Sequence, residues 1–175
     1  RSADVTVTDV QTVPTKLVAT SADGSAFDLD EVDNLPGTGT GNDGDINGAV
    51  WVEGRHGMAL EFNGDDTWVE IAADASLDLQ LGMTTAAWFF KTENLAPNQG
   101  ETLISKKQGG GYCLEVSGWE NRFPNKLSTE NRIGGTYHPI GSDDDVPLGE
   151  WVHAAATYDE TSVRLYMNGV LVGEE

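Results

Sequence analysis

The most constraining stretch lies close to the end of the 175-residue chain. Residues 150–158 (Glu-Trp-Val-His-Ala-Ala-Ala-Thr-Tyr) lead through the polar run Asp159-Glu160-Thr161-Ser162 into residues 163–172, with Asn168-Gly169 inside that last segment. An Asn-Gly pair flanked by alternating apolar residues is the strongest short-range hairpin signal, because both central residues of a type I′ turn take positive φ. A two-residue turn also sets register. Met167 should face Val170 and Leu165 should face Val172 on one side of the sheet, with Val163 extending that face and Arg164 and Tyr166 on the other. The strand before it is apolar on both faces: Trp151, His153 and Ala155 alternate with Val152, Ala154, Ala156 and Tyr158. Such a strand is expected in the middle of a sandwich, covered on both sides.

Similar patterns fill the rest of the chain. Val5 and Val7 share a face of an N-terminal strand that Pro14 interrupts, and residues 16–20 suggest another. Met58, Leu60 and Phe62, then the turn Asn63-Gly64-Asp65-Asp66, then Trp68, Val69 and Ile71, read as a hairpin with one buried face. Residues 72–82 read as a connection with one helical turn. Trp88-Phe89-Phe90 puts bulk on both faces of residues 84–92, which predicts a central strand. Residues 121–137 are polar, with Phe123, Leu127, Ile133 and Tyr137 widely spaced, and read as edge strands and loops. About ten short strands with frequent turn signals and no convincing helix predict an all-β, antiparallel two-sheet sandwich.

Ten basic and 29 acidic residues leave a net charge of −19. That excludes a general binder of nucleic acid or anionic membranes, whose phosphates such a field repels. No apolar run reaches membrane-spanning length. The single cysteine, Cys113, has no internal disulfide partner and reads as a small buried filler.

Several pieces line up in order: Gly41-Asn42-Asp43-Gly44, Asn47-Gly48-Ala49, the continuous run from Gly54-Arg55-His56-Gly57 through Phe62-Asn63-Gly64 to Val69-Glu70-Ile71, Ser76-Leu77-Asp78, Thr85-Ala86-Ala87-Trp88, Leu103-Ile104-Ser105-Lys106, Tyr112-Cys113-Leu114, Gly149-Glu150-Trp151-Val152-His153 and Leu165-Tyr166-Met167-Asn168-Gly169. This order resembles the laminin G-like jelly rolls of the concanavalin A-like lectin and glucanase superfamily. The resemblance covers residue 17 to the end, so residues 1–16 are expected as an N-terminal strand or linker and 17–175 as the jelly-roll domain. It also implies that the last strands of such a module are absent. Residues 170–172 would then border an exposed edge, pair with the N-terminal valines, or pair with another chain.

The resemblance implies a non-catalytic, secreted or cell-surface module that binds a polysaccharide or a surface protein, with adhesion as one expression of that role. A second expectation is an assembly subunit completed by strand exchange with a neighbour or with another copy of itself. An accessory domain of a polysaccharide-degrading enzyme is a more distant third. Flat aromatic faces stack on sugar C–H surfaces, which points to Trp119, Tyr137 and His138 in polar stretches, with Arg132 as a donor to hydroxyls. The competing reading is that Trp119 caps a hairpin and Tyr137 packs an edge. Trp51, Trp68, Trp88 and Trp151 are expected in the core or half in it, and His153 as a hydrogen-bonded core histidine.

Calcium is the expected cofactor. Asp43-x-Asp45-x-Asn47-Gly48 matches the first half of an EF-hand loop, but position 12 is Gly54 and no helices flank it. Similar jelly rolls often hold a structural calcium here, and that resemblance points to Asp33 and Asn42. The competing reading is a solvated, turn-forming loop.

Other chemistries fail on spacing. Glu31-Val32-Asp33 begins a glycosidase Glu-x-Asp-x-x-Glu pattern, but Pro36 stands where the last carboxylate is needed. Gly39-Thr40-Gly41-Asn42-Asp43-Gly44 fits G-x-G-x-x-G, but Asp43 would repel a pyrophosphate and Pro36 precedes it. His56, His138 and His153 have no metal-ligand spacing.

Overall fold

The computed structural model describes residues 15–18, 44–79, 82–94, 100–107, 111–117 and 122–175. The N-terminal valines Val5 and Val7 and the acidic loop ahead of Gly44 lie outside those residues. The described chain forms β1 (Thr15–Val18), β2 (Gly44–Asn47), β3 (Val50–Glu53), β4 (Met58–Glu61), β5 (Trp68–Ile71), a 3₁₀ turn (Ala75–Leu77), β6 (Met83–Lys91), β7 (Glu101–Lys106), β8 (Tyr112–Ser117), β9 (Phe123–Ile133), β10 (Thr136–Asp145), β11 (Trp151–Tyr158), β12 (Val163–Met167) and β13 (Val170–Glu174). Seven strands form one sheet in the order β13-β12-β11-β6-β1-β4-β3, four form a second in the order β10-β9-β8-β7, and β2 pairs with β5. The pairings are antiparallel, as expected of an all-β sandwich.

Period-two alternation builds the core. On β6, Thr85, Ala87, Phe89 and Lys91 are buried, while Thr84, Ala86, Trp88 and Phe90 are not. On β11, Val152, Ala154 and Ala156 are buried on the same side. They join one cluster with Ile104 of β7, Leu114 and Val116 of β8, and Leu127 of β9. A charged pair is buried as well. Lys91, at the end of β6, and Glu101, at the start of β7, are 0% and 2% exposed and form an ion pair. It joins the last residue of a strand in the large sheet to the first of a strand in the small one.

The closing meander forms as the sequence predicts at its turn. Asn168 and Gly169 have φ of 52° and 80°, and Met167 pairs with Val170. The register beyond it is corrected. Leu165 pairs with Gly173 instead of Val172, because the ladder slips by one residue between Leu165 and Tyr166. Gly173 sits at the slip: a Cβ there would meet Ile140 Cγ2 at 2.6 Å, so glycine is the residue that lets β13 pass this close to β10. In the preceding turn, Asp159 accepts backbone hydrogen bonds from Ser162 (2.9 Å) and Thr161 (3.1 Å). The hydrogen bond from Arg164, followed by those two, pulls its carboxyl down to about 2.

Three further expectations are corrected. The segments around Met58 and Trp68 are not a hairpin: β4 pairs with β1 and β3, and β5 with β2. The turn between them is closed by Asn63, whose Oδ1 accepts hydrogen bonds from Asp65 N (2.9 Å), Asp66 N (3.2 Å) and Thr67 Oγ1 (3.0 Å). It redirects the chain instead of folding it back on its own ladder. Residues 123–133 are one long strand between β8 and β10, not an edge. Their polarity misleads because Ser128, Thr129 and Asn131 are buried, with Ser128 and Thr129 donating to carbonyls of β8 at 3.3 and 2.7 Å. Finally, β11 is central by pairing but covered fully on one face only: Trp151, His153 and Thr157 stay partly exposed.

Candidate functional site

That half-covered face carries the site. In the register of β6 against β11, Trp88 is opposite His153 and Phe90 is opposite Trp151. Opposed residues of an antiparallel pair share a face, so these four rings stand together on the outside of the large sheet. The Trp88 and His153 ring centroids are 5.1 Å apart, tilted by 55°, and Phe90 meets Trp151 edge-on at 5.5 Å.

Three turns bring polar groups to the rings. Arg55 and His56 form the tip between β3 and β4, which closes through a hydrogen bond from Gly54 N to Gly57 O of 2.8 Å. The Arg55 guanidinium lies 4.2 Å from the Trp88 ring centroid, a cation–π distance. His56 stands edge-on to Trp88 at 5.9 Å. Glu150 sits at the entry to β11, placed by Gly149 N donating to Lys91 O at 2.8 Å. Asn168, in the β12–β13 turn, is bonded to β11 twice: its N donates to His153 O at 2.7 Å, and its Oδ1 accepts from His153 N at 2.9 Å.

The result is an open depression of about 420 Å³ lined by Arg55, Trp88, Glu150, Trp151, His153 and Asn168. Its floor is aromatic, and its rim presents guanidinium, carboxylate, imidazole and carboxamide groups. Burial lowers the pKa of His153 from its usual 6.5. The unfolded chain therefore takes up this proton more readily, and folding stability drawn from the neutral ring is present above pH 6.5 and lost as pH falls below it. Thermal melts of the wild type are expected to lose more stability between pH 7 and about 5 than melts of His153→Asn. Parallel curves for the two proteins would contradict this.

The residues picked from sequence fall elsewhere. Arg132 and Tyr137 face each other across β9 and β10, with the guanidinium 5.7 Å from the ring and Nε donating to Gly135 O at 3.3 Å. His138 is one residue further, so it points to the opposite face of the sheet; its Nδ1 is 2.9 Å from Glu175. The structure thus brings Arg132 and Tyr137 together and separates His138 from both. Trp119, Asp33, Asn42 and Asp43 lie outside the described residues. Asp45 is exposed on β2, opposite Glu70. Among the described residues no group of three or more His, Cys, Asp or Glu side chains is arranged to hold a metal. Cys113 is buried, and burial, followed by Glu115, pushes its thiol pKa well up, which makes it inert.

The lining residues were overlooked in sequence. Trp88 and Trp151 read as core or half-core, and His153 as a core histidine, whereas its ring lies against Trp88 on the partly exposed face. The alternation on β6 marks Trp88 and Phe90 as sharing a face, but only the pairing of β6 with β11 shows which face is open.

A laminin G-type family model, described as the concanavalin A-like lectin/glucanases superfamily, matches residues 63–175. That span includes every lining residue except Arg55. No curated protein and no solved structure matches the chain.

Proposed function

The chain belongs to the concanavalin A-like lectin/glucanase superfamily, and from that premise we propose that it is a secreted, non-catalytic module whose outer depression binds a neutral carbohydrate. Laminin G-like domains are generally non-catalytic and typically extracellular, although the superfamily also includes glycosidases. The observation that carries the reading is Trp88. It is half-buried, framed by His153 and Arg55, and open to the depression. A sugar would share this indole with the Arg55 guanidinium that lies over its ring, its C–H groups against the rigid apolar surface that Arg55 leaves uncovered, and the surrounding donors and acceptors suit hydroxyls, which need both. A net charge of −19 disfavours polyanionic glycans, and Glu150 in the rim disfavours an anion locally.

Affinity electrophoresis in gels containing β-1,3-glucan, xylan, mannan or galactan tests this. The wild type is expected to be retarded by at least one of them, and Trp88→Ala to bind it about tenfold or more weakly, on the scale of losing one aromatic stack. Migration unaffected by all four polymers, or equal retardation of Trp88→Ala, would sink the reading.

A further inference from the structure

The outer face of the large sheet continues past the depression in ordered rows. One row runs from Trp88 through His153 to Asn168 at the β12–β13 turn. The next is Ala86, Ala155, Tyr166 and Leu171, paired in turn across β6, β11, β12 and β13. The row beyond is Thr84, Thr157, Arg164 and Glu174, where Arg164 Nε donates to Glu174 at 2.7 Å. The middle row is therefore an apolar lane across four strands. The partly exposed Ala86 and the 9%-exposed Ala155 form its floor, the half-buried Tyr166 and the 47%-exposed Leu171 form its far end, and polar groups line both sides.

We infer that the ligand is a linear chain of several sugar residues lying across the strands, with Trp88 holding one residue and Tyr166 a second stacking position further along. This rests on the carbohydrate reading of the depression and adds the ligand's length and direction. Strands about 4.8 Å apart put β6 and β13 about 14 Å from each other, room for roughly three sugar residues. The lane is continuous with the depression and, among the described residues, has no cationic row that would call for an acidic polymer, because Arg164 is already held by Asp159 and Glu174.

The probes are fragments of two to six residues from whichever of the four polysaccharides retards the protein, titrated by calorimetry. Affinity is expected to rise about tenfold or more from the disaccharide to the tetrasaccharide and then level off. Tyr166→Ala should remove that gain while leaving disaccharide affinity within about twofold, and Trp88→Ala should weaken every length. Wild-type affinity that does not change with length overturns the lane and leaves the carbohydrate reading standing. So does a Tyr166→Ala defect equal at two and six residues. Failure of all four polymers to bind removes the parent reading instead. The wild-type length series decides the matter even if Tyr166→Ala does not fold.

Discussion

Replacing Lys91 by methionine is expected to destabilise the protein by about 3–5 kcal/mol, because it removes the cation bonded to the buried Glu101 carboxylate. Both side chains are almost completely buried and bonded to each other. Urea unfolding followed by tryptophan fluorescence measures the loss. The informative comparison is Lys91→Met/Glu101→Leu. Removing both charges also removes both desolvation costs, so the double variant should regain most of the stability, and a buried pair replaced by apolar residues of similar size can end neutral or better. The hydrogen bond from Gly149 N to Lys91 O uses the backbone and survives either change. If the single and double variants are equally unstable, the pair contributes through shape and not through charge.

The second large effect comes from two neighbours on β6. Phe89 is 0% exposed and belongs to the core cluster; Phe89→Ala should cost about 3–5 kcal/mol in lost transfer energy and cavity formation. Trp88, the adjacent residue, is half-buried on the other face, and Trp88→Ala should cost only about 1 kcal/mol of stability while removing carbohydrate binding. Denaturant melts beside affinity gels, run on both variants, give the comparison. Phe89→Ala protein that remains folded should still be retarded, since no Phe89 atom faces the depression. A Trp88→Ala variant as unstable as Phe89→Ala would make Trp88 a core residue and undo the separation of faces.

What sequence reveals here follows the range of the interactions. The Asn168-Gly169 turn, the central aromatic strand and the 3₁₀ turn at Ala75–Leu77 were readable because each is set by a few adjacent residues. Partners across long chain distances were not. Nothing local to Met58 or Trp68 says that their strands pair with β1, β3 and β2 and not with each other. Buried Ser128 and Thr129 made β9 read as edge strand and loop, because hydrogen bonds to carbonyls of β8 satisfy side chains that propensity treats as surface. The depression was hidden for the same reason. Trp88 and His153 are 65 positions apart in the chain, and Arg55 arrives from a third segment. Tyr137 and Arg132 were legible as exposed residues, but the pleat puts His138 on the other face.

The slip in β13 has a consequence for how molecules meet. Among the described residues β13 is the outermost strand of the seven-stranded sheet, and it exposes Val170 at 63% and Leu171 at 47%. A flat apolar border of this kind is a template on which copies can add strand to strand into fibres. The extra residue at Val172 interrupts the even spacing of backbone donors and acceptors and twists the border locally. Beyond it, Glu174 brings charge to the rim through its pairing with Arg164. Gly173, which lets β13 close against Ile140, lies at this interruption, so a strand approaching this border would meet an uneven ladder with a charged end.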